Sequence, residues 1–467
     1  MSGIFISGPS RSSLGHARAL LVLGLPLIGG HLAQFLIGAT DTMMLGWYGV
    51  EDLAAGVLGA SVFATLWITG AGFAFAVMPM VAAASEGPDA ARQVRRITRM
   101  GLWLSGAFAV LVMPFLVDAE GILLALGQGA DTAALAADYL AIAGWGLIPA
   151  LGVMVLKGYL AALERTQVVL WVTLAAAAVN AFVNWLLIFG RWGLPEMGVE
   201  GAAWASLAVH LVSLAALVMY ARAQFPEHAL FQRMWRPDWG ALRDVARVGL
   251  PISATNLAEV GLFASSAILV GWLGALPLAA HGIALQIATA TFMVHLGLSN
   301  AATVRAGKAF GRRDAVDLAQ GGRVAIALSL AFSVVTIAVF LTIPETLLGL
   351  FLSPDEPERA AILALGSVLL IFAAAFQAMD GAQVLVLGLL RGVQDTRVPM
   401  VYAAVSYWAV GLPASYLGGF VFGWGAAGVW AGLVVGLACA ALTLMLRFWG
   451  RSLPAAAARF SAQAAPA

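Results

Sequence analysis

Charge is what this sequence has least of. Of its 467 residues, 10% are Asp, Glu, Lys or Arg, against roughly 25% in an average soluble domain. A soluble fold of this size needs far more polar side chains to cover its surface. Soluble enzymes, disordered chains, secreted disulfide scaffolds and DNA-binding proteins are therefore excluded together. The net charge of +1 supplies no basic field for nucleic acid. The single cysteine, Cys439, sits in an apolar stretch, which removes disulfides and Cys-rich metal sites. The chain has no His-Glu-x-x-His, no Gly-x-Ser-x-Gly and no Walker loop, so neither an enzyme nor an ATP-driven pump is expected. What is abundant is apolar: 61% of residues are hydrophobic and the mean hydropathy is +0.92. Glycine, at 52 residues, suits helices that pack closely in a membrane. The solvent for most of this chain is lipid.

A bilayer-crossing helix needs about 20 mostly apolar residues. Twelve such runs lie near 19–47, 53–84, 100–117, 134–156, 167–189, 201–221, 246–270, 278–303, 323–343, 361–388, 398–420 and 425–447. Positive charges orient them. All but two of the 25 Lys and Arg residues, from Arg11 and Arg18 to Arg459, fall at the termini or in alternate loops. The exceptions are Arg191 and Arg359; the opposite loops carry acids such as Glu51, Asp118, Asp355 and Glu358. This alternation predicts a multi-pass protein of the cytoplasmic (inner) membrane with both termini in the cytoplasm.

The chain is also duplicated. Shifted by 225 positions, Leu23-Gly24-Leu25-Pro26 falls on Val248-Gly249-Leu250-Pro251, Gly46-Trp47 on Gly271-Trp272, and Leu53-Ala54-Ala55 on Leu278-Ala279-Ala280. Shifted by 230, Gly158 falls on Gly388 and Thr166 on Thr396. Six spans per copy give both copies the same orientation, so the axis relating them runs along the membrane normal, as in parallel-repeat transporters. The expected fold is all-α: two six-helix lobes, 1–221 and 246–467, joined by a cytoplasmic linker, 222–245. Two such bundles suit alternating access. Pro26 and Pro251 are repeat mates, and a bend there serves either as a hinge or as a static kink.

Three acids lie well inside spans: Asp41, Glu259 and Asp380. Intramembrane charge costs about 2.5–3.5 kcal/mol on insertion scales and marks a functional site by default. No Lys or Arg is placed comparably deep by the span boundaries, so each acid must take up a proton or bind a mobile cation. Under the 225 shift Glu259 falls on Gln34, an acid on an amide. Asn180 and Asn184, four apart, share one face of the fifth span. Their amide groups are placed to coordinate a cation or to donate to Asp41. His31, His210, His281 and His295 lie in apolar runs and form no metal motif by spacing; each is read first as a packed hydrogen-bonding residue.

The stretch Gln34-Phe35-Leu36-Ile37-Gly38-Ala39-Thr40-Asp41-Thr42-Met43-Met44-Leu45-Gly46 resembles the opening motif of the multidrug and toxic compound extrusion (MATE) family. Glu259-Val260-Gly261-Leu262-Phe263 and Ala279-Ala280-His281-Gly282 are similar to it as well. The most specific match is Phe376-Gln377-Ala378-Met379-Asp380-Gly381-Ala382-Gln383 followed by Leu390-Arg391-Gly392. It is similar to the bacterial, NorM-like branch, in which a seventh-span Glu and a tenth-span Asp hold the coupling cation.

The resemblance covers nearly the whole chain. It implies a monomeric secondary antiporter that exports amphipathic, often cationic, small molecules in exchange for sodium or protons, without a cofactor. It implies coupling residues Asp41, Asn180, Asn184, Glu259 and Asp380, with Ser206 a weaker match on the sixth span. It places substrate against Gln34, Asp41, Glu259, Phe376 and Asp380, and a sodium site, if one exists, at Glu259, Asp380 or Asp41. Sodium-coupled members similar to this branch carry Tyr one turn before the tenth-span Asp, where this chain has Phe376. The competing expectation is a lipid-linked oligosaccharide flippase of a related duplicated fold. Its pyrophosphate substrate calls for cationic side chains deep in the spans.

Overall fold

In lipid no water is available to backbone N–H and C=O groups, so a spanning segment closes its hydrogen bonds within itself as a helix. The computed structural model describes residues 12–354 and 356–464, and Arg11 and Asp355 of the charge pattern lie outside them. Among the described residues there are helices and no strands. In chain order they are α1 (Ser13–Tyr48), α2 (Val50–Ala84), α3 (Ala90–Val117), α4 (Glu120–Ala125), α5 (Ala130–Ala143), α6 (Leu147–Ala162), α7 (Thr166–Ile188), α8 (Gly198–Gln224), α9 (Trp239–Gly271), α10 (Ala275–Gly311), α11 (Ala315–Thr342), α12 (Pro344–Gly349), α13 (Arg359–Gly392), α14 (Arg397–Ala404), α15 (Leu412–Tyr416), α16 (Gly425–Arg447) and α17 (Leu453–Ala464).

Eleven of these segments are long and apolar enough to cross a bilayer. The fourth span is composite: α5 passes through a 3-10 turn at Gly144–Gly146 into α6. The expected eleventh span, 398–420, is helical throughout but not as one α-helix. α14 and α15 are joined and followed by π-helical stretches, Val405–Gly411 and Leu417–Val421. Pro413 interrupts the regular ladder there. Gly411, Gly418 and Gly419 lie against α16 so closely that a Cβ on Gly418 would come within 2.7 Å of the Gly428 carbonyl oxygen. A π turn lets a proline-bearing helix keep its backbone bonded while it follows such a neighbour.

The helices form two compact units. One runs from Gly29 to Val260; the other joins the segment ending at Ile28 to the segment beginning at Gly261. Both boundaries fall inside helices, α1 and α9, which also carry Pro26 and Pro251.

Within the unit Gly29–Val260, α6 is central and packs against α2, α3, α7 and α8. The first half of α9 belongs here because it runs tightly along α2: a Cβ on Gly249 would meet the Phe73 ring at 2.9 Å. The segment 222–245, expected as a linker, is strapped to the ends of α3 and α6. Arg96 binds Asp238, Trp103 Nε1 donates to the Met234 carbonyl at 2.8 Å, and the Tyr159 hydroxyl pairs with His228 Nδ1 at 2.6 Å. One placement from the sequence is corrected. Lys157, assigned to the loop after the fourth span, lies inside α6, which runs on to Ala162 before Glu164 turns to φ 62°. An apolar run ends at its first charge, whereas the helix ends where its backbone bonds do.

In the other unit α13 is central, packed against α10, α11 and α16. Small residues set the α10–α13 approach. Thr303 Oγ1 donates to the Gly388 carbonyl at 2.9 Å and Ser299 Oγ to Val384 at 2.7 Å. The start of α1 lies against α10, where a Cβ on Gly297 would come within 2.7 Å of the Ile28 backbone nitrogen.

Candidate functional site

Asp41, Asn180 and Asn184 come together in the unit Gly29–Val260. Asp41 projects from α1, and the two Asn side chains stand one turn apart on α7, fully buried. Asn180 Nδ2 donates to Asp41 Oδ1 at 2.9 Å and Asn184 Nδ2 to the same oxygen at 2.5 Å. Asn184 Nδ2 also reaches Asn180 Oδ1 at 3.3 Å, and Asn184 Oδ1 is buried with no hydrogen-bond partner. No Lys or Arg among the described residues pairs with Asp41. The carboxylate is therefore held by dipoles rather than by a fixed countercharge, leaving its negative charge to a mobile cation or a proton. The same face of α1 carries Gln34 and Gly38, and a side chain at Gly38 would meet nothing within 4 Å. Space stays open beside this face of the helix.

A residue that the sequence did not single out completes the cluster. Tyr139 on α5 is 6% exposed, hydrogen-bonds Ser206 of α8 and lies within electrostatic reach of Asp41. Its ring occupies the place where a side chain on Gly59 would stand. Ser206 is thus tied to the Asp41 neighbourhood through Tyr139. The available signal was a phenol, one of seven in the chain, inside an apolar span.

The other acids divide between the units. Glu259, half-buried on α9, belongs with the residues up to Val260, and Asp380 on α13 belongs to the other unit. Asp380 and Phe376, one turn apart, are each 2% exposed. Phe376 stands in an aromatic run, 5.9 Å from the Phe263 ring and 5.6 Å from Trp430. Trp430 Nε1 donates to His281 Nδ1 at 3.0 Å, so His281 is a packed hydrogen-bonding residue. Beside Asp380, Gln377 donates to the Ala288 carbonyl at 2.6 Å and also binds Thr291. Gln383 is fully buried with both amide atoms unpaired. His295 pairs with Ser329 at 2.8 Å and fills the space where Gly381 lacks a side chain. This unit thus surrounds a buried acid with amides, hydroxyls and aromatic faces. No group of three His, Cys, Asp or Glu residues suited to a metal occurs among the described residues.

Comparison with known proteins follows the same two halves. The MatE family profile matches residues 26–186 and 251–417. The chain is 46% identical over 436 residues to a probable multidrug resistance protein NorM of Rhizobium meliloti, covering 93% of each protein. It is 45% identical over 441 residues to the protein of that name from Agrobacterium fabrum, covering 94% of this chain and 95% of the other. Among solved structures, the eukaryotic MATE transporter AtDTX14 superposes with a TM-score of 0.85 at 16% identity, over 96% of this chain and 99% of that one. A MATE structure in a bent conformation gives 0.84 at 20% identity, over 97% and 100%.

Proposed function

The chain belongs to the MatE family of multidrug efflux transporters, and from that premise we propose that it is a secondary antiporter. It exports amphipathic, often cationic, small molecules across the inner membrane in exchange for sodium or protons, as a monomer with both termini in the cytoplasm. The two sequence repeats, 1–221 and 246–467, are its moving lobes. The observation that carries the reading is Asp41, bound by two amide donors on one oxygen and by no fixed cation. A cationic substrate and a coupling cation compete for that negative charge, and for Glu259 and Asp380. Occupancy by the ion favours the state that has lost affinity for the drug, because a ligand shifts a conformational equilibrium only by its differential affinity for the two states.

The test is efflux of a cationic dye from proteoliposomes, with sodium and proton gradients imposed separately. Asp41→Asn, Glu259→Gln and Asp380→Asn should each abolish gradient-driven efflux while the protein still inserts and folds. Normal export by all three variants sinks the mechanism. The same assay addresses the flippase alternative, which yields no dye efflux under either gradient. That alternative needs several deep cations for pyrophosphate, and Lys157 alone in α6 meets the requirement poorly.

A further inference from the structure

The end of α8 carries a cavity that the mechanism above does not use. It holds about 280 Å³, below the roughly 300–1,000 Å³ of drug-sized ligand sites. Arg222 and Phe225 line it where α8 ends, and Pro226, Leu230 and Phe231 line it from the segment that follows. No acid lines it. Its walls are held in place without a ligand. Arg99 of α3 donates from Nε to the Leu230 carbonyl at 3.3 Å and from Nη2 to the Gln232 carbonyl. The Phe225 ring lies flat against His228, with centroids 5.3 Å apart and planes 6° from parallel.

Two guanidiniums stand over these rings. Arg222 Cζ is 5.0 Å from the centroid of Phe231, and Arg165 Cζ is 5.9 Å from that of Phe225. A ring face steadies the cation while leaving its N–H donors free for an anion. Neither guanidinium forms an ion pair or a hydrogen bond among the described residues. Arg96 and Arg99 nearby are, by contrast, spent on Asp238 and on the two carbonyls.

An exposed apolar stripe leads to this pair. Val212, Ala215, Met219 and Arg222 are exposed and recur at helical spacing on one face of α8. Ser206 faces the other way, toward Tyr139, so the stripe is not part of the Asp41 site. The exposed rings of Trp235 and Trp239 suit the headgroup level of a bilayer. A lipid-facing stripe that ends in two unpaired cations matches a molecule with an acyl chain and a phosphate, and basic pockets beside transmembrane helices recognise such headgroups. A zwitterionic headgroup would bring its ammonium beside two positive charges, which favours a lipid of net negative charge.

We propose that this cavity binds an anionic phospholipid. Arg222 and Arg165 take the phosphate, the rest of the headgroup enters the cavity, and an acyl chain lies along Met219, Ala215 and Val212. The proposal does not rest on the antiport reading and stands if that reading fails.

The experiment is native mass spectrometry of the full-length protein in detergent, titrated with phosphatidylglycerol or with phosphatidylcholine of the same chains. The parent should hold phosphatidylglycerol about tenfold more tightly. Replacing Arg165→Gln and Arg222→Gln together should weaken phosphatidylglycerol about tenfold, about 1.4 kcal/mol, and remove the preference. Both side chains are exposed, so helix packing is kept. Arg243→Gln, an exposed arginine of α9 outside the cavity, should leave the preference intact. An unchanged preference in the double variant, or an equal loss in Arg243→Gln, overturns the proposal. Glycerol phosphate, which has the anion without the chains, should fail to displace the lipid. Displacement would mean that the site takes a free phosphate and would overturn the lipid as its occupant.

Discussion

Two amide donors on one carboxylate oxygen bind the charged form tightly in a medium that gives it nothing else, so Asn180 and Asn184 make an intramembrane Asp41 tolerable without a salt bridge. Phe376 gives the corresponding problem in the other unit a different setting. Its ring is packed between Phe263 and Trp430, one turn before Asp380, and carries no oxygen. Phe376→Tyr adds a hydroxyl oxygen at that position. It should raise sodium-driven efflux several-fold relative to proton-driven efflux in proteoliposomes. The buried hydroxyl costs about 1–3 kcal/mol if unpaired, which a thermal melt reads separately. An unchanged ratio of the two gradients' effects would show that Phe376 does not set the ion. The acids were legible in the sequence because intramembrane charge is rare enough to stand out. Tyr139 was not, because an aromatic residue in an apolar run reads as packing until its hydroxyl is seen at Ser206. Lys157 was misplaced because a hydropathy run ends at its first charge, whereas α6 runs on to Ala162.

Helices were the most legible elements, since an apolar run about as long as the bilayer is thick has one backbone solution. The π-helical course of the eleventh span was not legible, because it follows from the closeness of Gly428 and neighbouring residues on α16, a tertiary fact. Nor was the behaviour of 222–245. Its Arg, Pro and Trp content marked it as a linker, while its structure is a strap fastened to α3 by the Arg96–Asp238 pair at the entrance to α9. The hydrogen bond from Arg96 and the donors at the start of α9 hold the Asp238 carboxyl down at about 2, against an ordinary value of about 3.9. A depressed acid contributes stability that is fully present above its unfolded value and is lost as pH falls through the folded one. The strap should therefore hold above about pH 4 and loosen between about pH 4 and about pH 2. Asp238→Asn should bring that loosening to neutral pH. Hydrogen exchange at residues 230–241 in nanodiscs reads it directly: equal protection in variant and parent at pH 7 would mean that the strap does not depend on this pair.

At the scale of the whole molecule, the sequence is organised by one duplication and one sorting of charge. The duplication is visible because Gly-Leu-Pro and Gly-Trp landmarks recur without a gap. The compact units divide inside α1 and α9 for a reason the repeat does not contain: the first half of α9 packs on α2, and the start of α1 packs on α10. The sorting of charge makes a claim about orientation that can be tested independently of transport. Trp192, beside the outlying Arg191, and Trp235 in the strap are 77% and 73% exposed. If nearly all the cations face the cytoplasm, these two residues lie on opposite sides of the membrane. In a Cys439→Ser background, which keeps an acceptor for the Ser406 hydroxyl, Trp192→Cys should react with a membrane-impermeant maleimide in intact cells. Trp235→Cys should react only after the membrane is permeabilised. The reverse pattern would invert the topology, and labelling of both in intact cells would mean that the span count is wrong by one, since an even number of crossings, rather than the single crossing by α8, would then lie between the two loops.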